Sequence, residues 1–287
     1  MSNTNKKQGR LIIVLGMHRS GTSAVTRGLQ VVGASLGGNL YPAMAGVNEK
    51  GFWEDIELNS LDNEILKTID SDWFHLAPIN DFDLQNLRRK GYILKAAELL
   101  RRKVEATEIF AFKDPRAAKL LPFWNEVIDH LQLDANYLIV LRNPLSVVKS
   151  LEKRDGFAPE HGYLLWLGHV LESLYSSAER TRIVVNYDQL MHSPDREVAR
   201  IADAFNLQIN AKELTEYKND FLDAQLRHTI YSPSDLLLDA ACPPIVREVH
   251  SRLLAVASDE ITINDPTILA EIARWTTEFE RQKSVLG

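Results

Sequence analysis

The most constraining feature of this chain is a strand, a glycine-bearing turn and a helix in direct succession near its start. Leu11-Ile-Ile-Val-Leu15 is an unbroken apolar run rich in β-branched residues, the pattern of a parallel strand buried on both faces. It stops at Gly16, and a helical pattern follows from about Ser20 to Val32, where Gly33 can close it as a C-cap. In between, Gly16-Met-His-Arg-Ser-Gly21 has the G-x-x-x-x-G spacing of a phosphate-binding loop, in the strand-to-helix position where such a loop belongs. Consecutive backbone N–H groups there make a concave donor array for anion oxygens, and Gly21 removes a side chain where an anion must come close. A glycine turn with an incidental arginine is the plainer reading of the same residues.

The rest of the chain repeats the alternation. Strands are predicted at Ile109–Lys113, Tyr137–Leu141 and Arg182–Asn186. Helical patterns fill the intervals at about Ile56–Ile69, Asp83–Ala106, Ala117–Leu131, Leu145–Lys153, Gly162–Arg180 and Arg196–Phe205. Asn143 is the expected N-cap of the helix that opens with Pro144. Short strands alternating with helices predict an α/β fold, a doubly wound parallel sheet flanked by helices. After about Ala211 only helices and loops are expected. One domain over residues 11–287, behind a flexible tail of residues 1–10, is the expected organisation.

Composition narrows the function classes. A net charge of −6 offers no global field for nucleic acid or an anionic membrane, so any anion site must be local. Cys242 is the single cysteine, which rules out an internal disulfide and a cysteine-rich zinc site. No stretch approaches the roughly 20 apolar residues of a membrane span, and the polar N-terminus lacks a signal-peptide core, so the cytoplasm is the expected compartment.

The loop departs from the nucleotide-triphosphatase pattern at one telling place. That pattern needs Lys after the second Gly and a hydroxyl residue next to hold magnesium. Here Thr22 stands in the lysine position, and Arg19 brings the charge from inside the loop. With Ser20, Gly21, Thr22 and Ser23, this stretch resembles the 5′-phosphosulfate loop of sulfotransferases that use 3′-phosphoadenosine 5′-phosphosulfate. Leu141-Arg-Asn-Pro-Leu-Ser-Val-Val-Lys-Ser150 is similar to that family's 3′-phosphate motif, and Arg142 and Ser150 match its gripping residues. Asn186-Tyr-Asp-Gln-Leu190 resembles a stretch whose Tyr lies against adenine, although Asp188-Gln189 replaces the usual acidic pair. Phe112-Lys-Asp-Pro-Arg116 looks like a segment of bacterial members.

The resemblance implies a P-loop-like fold and transfer of a sulfuryl group to a hydroxyl. It also implies a donor site at Gly16, His18, Arg19, Ser20, Gly21, Thr22, Ser23, Arg142, Ser150 and Tyr187. Packing beside the sheet is the alternative role for Tyr187. Asn48-Glu-Lys-Gly-Phe-Trp-Glu-Asp55 resembles a stretch near the acceptor in some members, which makes Glu54 the candidate general base; capping the next helix is its alternative. Lys113, at a strand end, can point into the crevice or pair with Asp114. Arg19, Lys113 and Glu54 are therefore the candidate catalytic residues, with His18 the next candidate and His161 and His228 weaker ones; Arg227-His228 is placed by loose analogy with the resemblance to approach the 3′-phosphate from the C-terminal region. No metal constellation stands out, and metal-independent chemistry is expected.

The expected acceptor is a neutral sugar, lipid-linked glycan or small alcohol, with Phe52, Trp53, Trp73 and Phe74 available to stack on it or to pack a core. Two other functions fit the loop: a P-loop phosphotransferase or kinase, and a non-catalytic nucleotide-binding module of a glycan-assembly system.

Overall fold

In a computed structural model the described residues are 9–44, 48–222 and 231–286. The predicted tail therefore falls almost wholly outside them, as do Arg227 and His228. Four strands form one sheet: β1 (Arg10–Leu15), β2 (Ile109–Lys113), β3 (Asp134–Leu141) and β4 (Thr181–Asn186). They lie in the order β2-β1-β3-β4 and every pairing is parallel.

The helices are α1 (Thr22–Gly28), α2 (Ile56–Thr68), α3 (Asp81–Arg89), α4 (Tyr92–Glu105), α5 (Pro115–Lys119), α6 (Leu121–Leu131), α7 (Pro144–Asp155) and α8 (Pro159–Ser176). Beyond β4 come α9 (Tyr187–His192), α10 (Pro194–Phe205), α11 (Ala211–Glu216), α12 (Pro233–Leu238), α13 (Pro244–Ala257) and α14 (Pro266–Leu286). None of the described helices is long and apolar enough to cross a membrane.

The sheet separates two cores, because successive strand residues point to opposite faces. Leu11, Ile13 and Leu15 join Phe110, Phe112, Tyr137 and Ile139 in the larger core, under α2 to α8 and the C-terminal helices. Ile12 and Val14 join Ala111, Leu138, Val140 and Val185 in the smaller one, under α1 and α10. Both faces are thus covered, which is why the strands read as continuous apolar runs.

Each predicted strand is present, extended at its N-terminal end in β1, β3 and β4. The helical expectations needed cutting. The run Asp83–Ala106 is two helices, because Gly91 takes a left-handed φ of 81° between α3 and α4. The run Ala117–Leu131 is also two, α6 starting at Leu121 with Pro122 in its first turn, where the missing N–H costs nothing. The first helix passes into a 3-10 turn at Leu29–Val32, closed by Gly33 at φ 84° as expected.

Candidate active site

All four strands deliver residues to one end of the sheet, the carboxyl end where open α/β sheets bind ligands. The Gly16–Ser23 loop follows β1, Lys113 ends β2, Arg142 follows β3 and Tyr187 follows β4. Three of these turns are fixed by a short polar cap. Asp114 accepts from Arg116 N, Asn143 from Leu145 N, and Asn186 from Asp188 N, at 2.9, 2.9 and 2.8 Å. Each cap sets the direction in which the chain leaves its strand, and so holds the neighbouring Lys113, Arg142 or Tyr187 in place.

His18, Arg19, Gly21, Thr22, Ser23, Glu54, Lys113, Arg142 and Tyr187 line a single cleft of about 180 Å³. Ser20 and Ser150 are buried beside it, and Arg19 Nε donates to Ser150 Oγ at 2.7 Å. Arg142 donates from a terminal guanidinium nitrogen to the Arg19 carbonyl at 2.7 Å, and its guanidinium lies 4.8 Å from the centre of the Tyr187 ring. The loop after β1 and the turn after β3 are thereby joined. Ser20 Oγ is buried with no hydrogen-bond partner among the described residues, a polar group for which a bound anion oxygen is a natural partner.

The cleft is a positive site inside an acidic protein. Burial, then Arg154 and Arg142, hold the Arg19 guanidinium below its ordinary value, and an arginine shifted from so high a start still carries its charge at pH 7. Arg154 lines the cleft but belongs to none of the motifs quoted above. It lies four residues after Ser150 on α7, hence on the same helix face, and that spacing is the signal that could have found it. Burial, then the charge of Arg116, drives the His18 imidazole well below its usual value, so it is neutral. It packs on Trp73 at 4.3 Å, and its Nε2 is buried without a hydrogen-bond partner among the described residues.

Against the C-terminal end of the loop stands a buried ion pair. Lys113 Nζ lies 2.6 Å from Glu54 Oε1 and donates to Ser23 Oγ at 3.4 Å. Asn59 donates to the other Glu54 oxygen at 2.9 Å. Lys113 therefore pairs with Glu54, while Asp114 pairs with Arg116 at 2.9 Å. The capping alternative for Glu54 falls to its neighbour: Asp55 accepts from Glu57 N and Leu58 N at 3.0 and 3.1 Å. Burial raises the Glu54 carboxyl above its ordinary range against the lowering effect of Lys113.

Several expected residues play other parts. Gly16 is absent from the cleft lining; a Cβ there would meet the Val140 carbonyl oxygen at 3.2 Å, so its work is close packing against β3. A Cβ on Gly21 would fall 2.5 Å from Tyr187 Cγ, so the space left by the missing side chain is filled by that ring. Of the four candidate aromatics only Phe52 lines the cleft. Trp53 packs edge-on to Phe221 at 5.6 Å, and Trp73 packs edge-on to Phe74 at 5.7 Å. His161 Nε2 lies 3.1 Å from the Phe74 carbonyl oxygen, away from the cleft lining. Met191, Phe221 and Leu222 do line the cleft, and no motif signalled them. Among the described residues no group of three or more His, Cys, Asp or Glu is placed to hold a metal ion.

Gly21→Ala is expected to destabilise the fold by about 1–3 kcal/mol, since the position has φ 84° and a ring against it. Adding Tyr187→Ala should recover part of that loss, a non-additivity read by denaturant titration of the two single variants and the double one.

No protein-family model matches the chain, and no curated protein matches it significantly. Among solved structures it is similar to the sulfotransferase domain of the Synechococcus PCC 7002 olefin synthase, at 15% identity and a TM-score of 0.49, over 88% of this chain and 98% of that one. It is also similar to the sulfotransferase domain of the curacin biosynthetic pathway, at 14% identity and a TM-score of 0.43, over 95% of this chain and 98% of the other. A third is sulfotransferase STF1 from Mycobacterium tuberculosis H37Rv, at 17% identity and a TM-score of 0.42, over 85% and 77%. These three solved structures are each described as a sulfotransferase or a sulfotransferase domain.

Proposed function

We propose that the protein transfers a sulfuryl group from 3′-phosphoadenosine 5′-phosphosulfate to a hydroxyl of a carbohydrate, glycolipid or small alcohol. One observation supports this reading: the Arg19–Ser23 loop and the Arg142–Ser150 segment, each offering a guanidinium and hydroxyl groups, meet at the Arg19–Ser150 hydrogen bond. A donor with phosphates at both the 5′ and the 3′ position needs two such grips, and ATP does not. The donor supplies an activated sulfuryl group, whose bond to the 5′-phosphate breaks as the acceptor oxygen bonds to sulfur.

The remaining work falls to this chain's residues. Ser20, Thr22 and Ser23 hold the 5′ end, Arg142 and Ser150 hold the 3′-phosphate, and Tyr187 borders the base. Arg19 meets the charge that grows on the departing phosphate. Glu54 takes the acceptor proton, and Lys113 keeps that carboxylate ionised despite its burial. An acceptor without much negative charge suits a protein whose own net charge is −6.

Calorimetric titration tests the donor assignment. 3′-Phosphoadenosine 5′-phosphate is expected to bind at micromolar concentration without added metal, and ATP with magnesium to bind far more weakly. The reverse order would mean a triphosphate enzyme. Tight binding with no transfer to any of a panel of glycans and alcohols would mean a nucleotide-binding module.

A further inference from the structure

The proposed reaction assigns nothing to Asp62, a buried carboxyl group on α2, the helix that begins just after Glu54. Asp62, on α2, is fully buried, and Asp114, the residue after Lys113, is 1% exposed. Asp62 Oδ1 accepts the indole N–H of Trp124 at 2.9 Å. Asp114 Oδ1 accepts both the backbone N–H and a guanidinium N–H of Arg116, each at 2.9 Å. The second oxygen of each carboxyl, Asp62 Oδ2 and Asp114 Oδ2, is buried and receives no N–H or O–H from any described residue. Yet the two carboxyls lie within hydrogen-bonding reach of one another.

Two carboxylates that close cannot both stay ionised out of water, and one proton between them would satisfy both bare oxygens. Their surroundings decide which one holds it. Asp114 has the guanidinium and the backbone N–H of Arg116, which favour the anion. Asp62 has only an uncharged indole. Charge balance agrees: Glu54 and Asp114 offset Lys113 and Arg116, and a third buried anion would have no partner.

We propose that Asp62 is a neutral carboxylic acid that donates its proton to the Asp114 carboxylate, and that this bond ties α2 to the turn after β2. It is a positioning residue. The tie joins the two segments that carry the site's buried ion pair, since Glu54 immediately precedes the Asp55 cap of α2 and Lys113 immediately precedes Asp114. The charged or polar groups acting on Asp62 from the surrounding elements are Asp114, Arg116 and Trp124; burial first, then Asp114, pushes its carboxyl well above the ordinary range.

The test of the proton does not depend on the sulfuryl-transfer reading. Unfolded, Asp62 ionises near 3.9; folded, it keeps its proton to higher pH. Its contribution to stability is therefore fully present below the unfolded value and is lost as pH rises toward the folded one. Between those limits the wild-type unfolding constant should climb relative to that of Asp62→Asn by about tenfold per pH unit, the signature of one proton. Denaturant titrations from pH 5 to pH 8 read it, and a ratio that stays flat with pH overturns the proposal. Infrared spectra of the wild type at pH 7 should contain an un-ionised carboxyl C=O band that Asp62→Asn lacks; identical spectra in that region also overturn it. An amide can make both of the acid's hydrogen bonds, so failure of Asp62→Asn to fold counts against the proposal too. The positioning role, which rests on the proposed function, predicts that Asp62→Asn keeps kcat within about threefold of wild type. Asp62→Leu should lose at least tenfold in kcat with donor affinity retained. Equal kcat in the two variants would remove the positioning role while leaving both the proton and the sulfuryl-transfer reading standing.

Discussion

Glu54→Gln is expected to lower sulfuryl transfer by about 10²–10⁴-fold, the range that a positioned general base contributes, with donor affinity retained. The carboxylate sits at the cleft wall, held on one oxygen by Lys113 at 2.6 Å and on the other by Asn59 at 2.9 Å. An amide fills the same space but cannot take a proton. The substitution also leaves a buried ammonium without its counter-charge, and removing one partner of a buried pair costs about 3–5 kcal/mol. Stability must therefore be measured beside activity. Glu54→Gln with Lys113→Met should regain most of the lost stability while transfer stays low, which separates the chemical role from the structural one. Full activity in Glu54→Gln would move the base elsewhere.

The pH profile carries a sign as well. A base must be ionised to act, and burial holds Glu54 above the ordinary carboxyl value, so the acid limb of kcat/KM should lie above pH 4.5. Lys113 opposes that shift. In Lys113→Met the acid limb should move further up, and a downward move would contradict the assigned coupling.

Arg142→Ala is expected to weaken donor binding by about 10- to 150-fold, the equivalent of one lost hydrogen bond to a charged group. The residue is 8% exposed and lies over the Tyr187 ring, so its loss removes a guanidinium from the cleft and loosens the ring that packs on Gly21. Arg19→Ala should lose a similar amount. Arg19→Lys should not restore it, because a lysine cannot reproduce the Nε bond to Ser150 while keeping the rest of a planar fork for the donor. Titration with 3′-phosphoadenosine 5′-phosphate reads each variant, and unchanged affinity in both alanine variants would remove the residue assignment.

Much of the scaffold was legible in one dimension because its signals are local. The continuous apolar runs marked the four strands, since strands buried on both faces have no polar alternation to blur them. Asn143-Pro144 marked the start of α7, since an N-cap and a first-turn proline act within a few residues. Gly91 does not read as a break in the sequence because the apolar spacing continues across it, and only its left-handed backbone separates α3 from α4. The loop residues that face the cleft were readable because each motif segment ends a strand, and parallel strands of a doubly wound sheet end at the same side.

What proximity makes was not legible. Phe221 and Leu222 reach the cleft because Phe221 is held by Trp53 and Tyr217, with ring centres 5.6 and 5.8 Å away. Glu54 and Asp55 are adjacent in sequence and equally acidic, and only the fold divides the labour, giving Asp55 to the helix and Glu54 to Lys113. Asp62 reads as an ordinary polar position until burial and Asp114 make it an acid. The sequence by itself determined the strand–loop–helix unit and the kinds of charge at the strand ends, because backbone geometry and capping are settled among near neighbours. The tertiary structure decided which charges meet, and therefore which are ionised, because desolvation and Coulomb energy depend on distances that no spacing along the chain encodes.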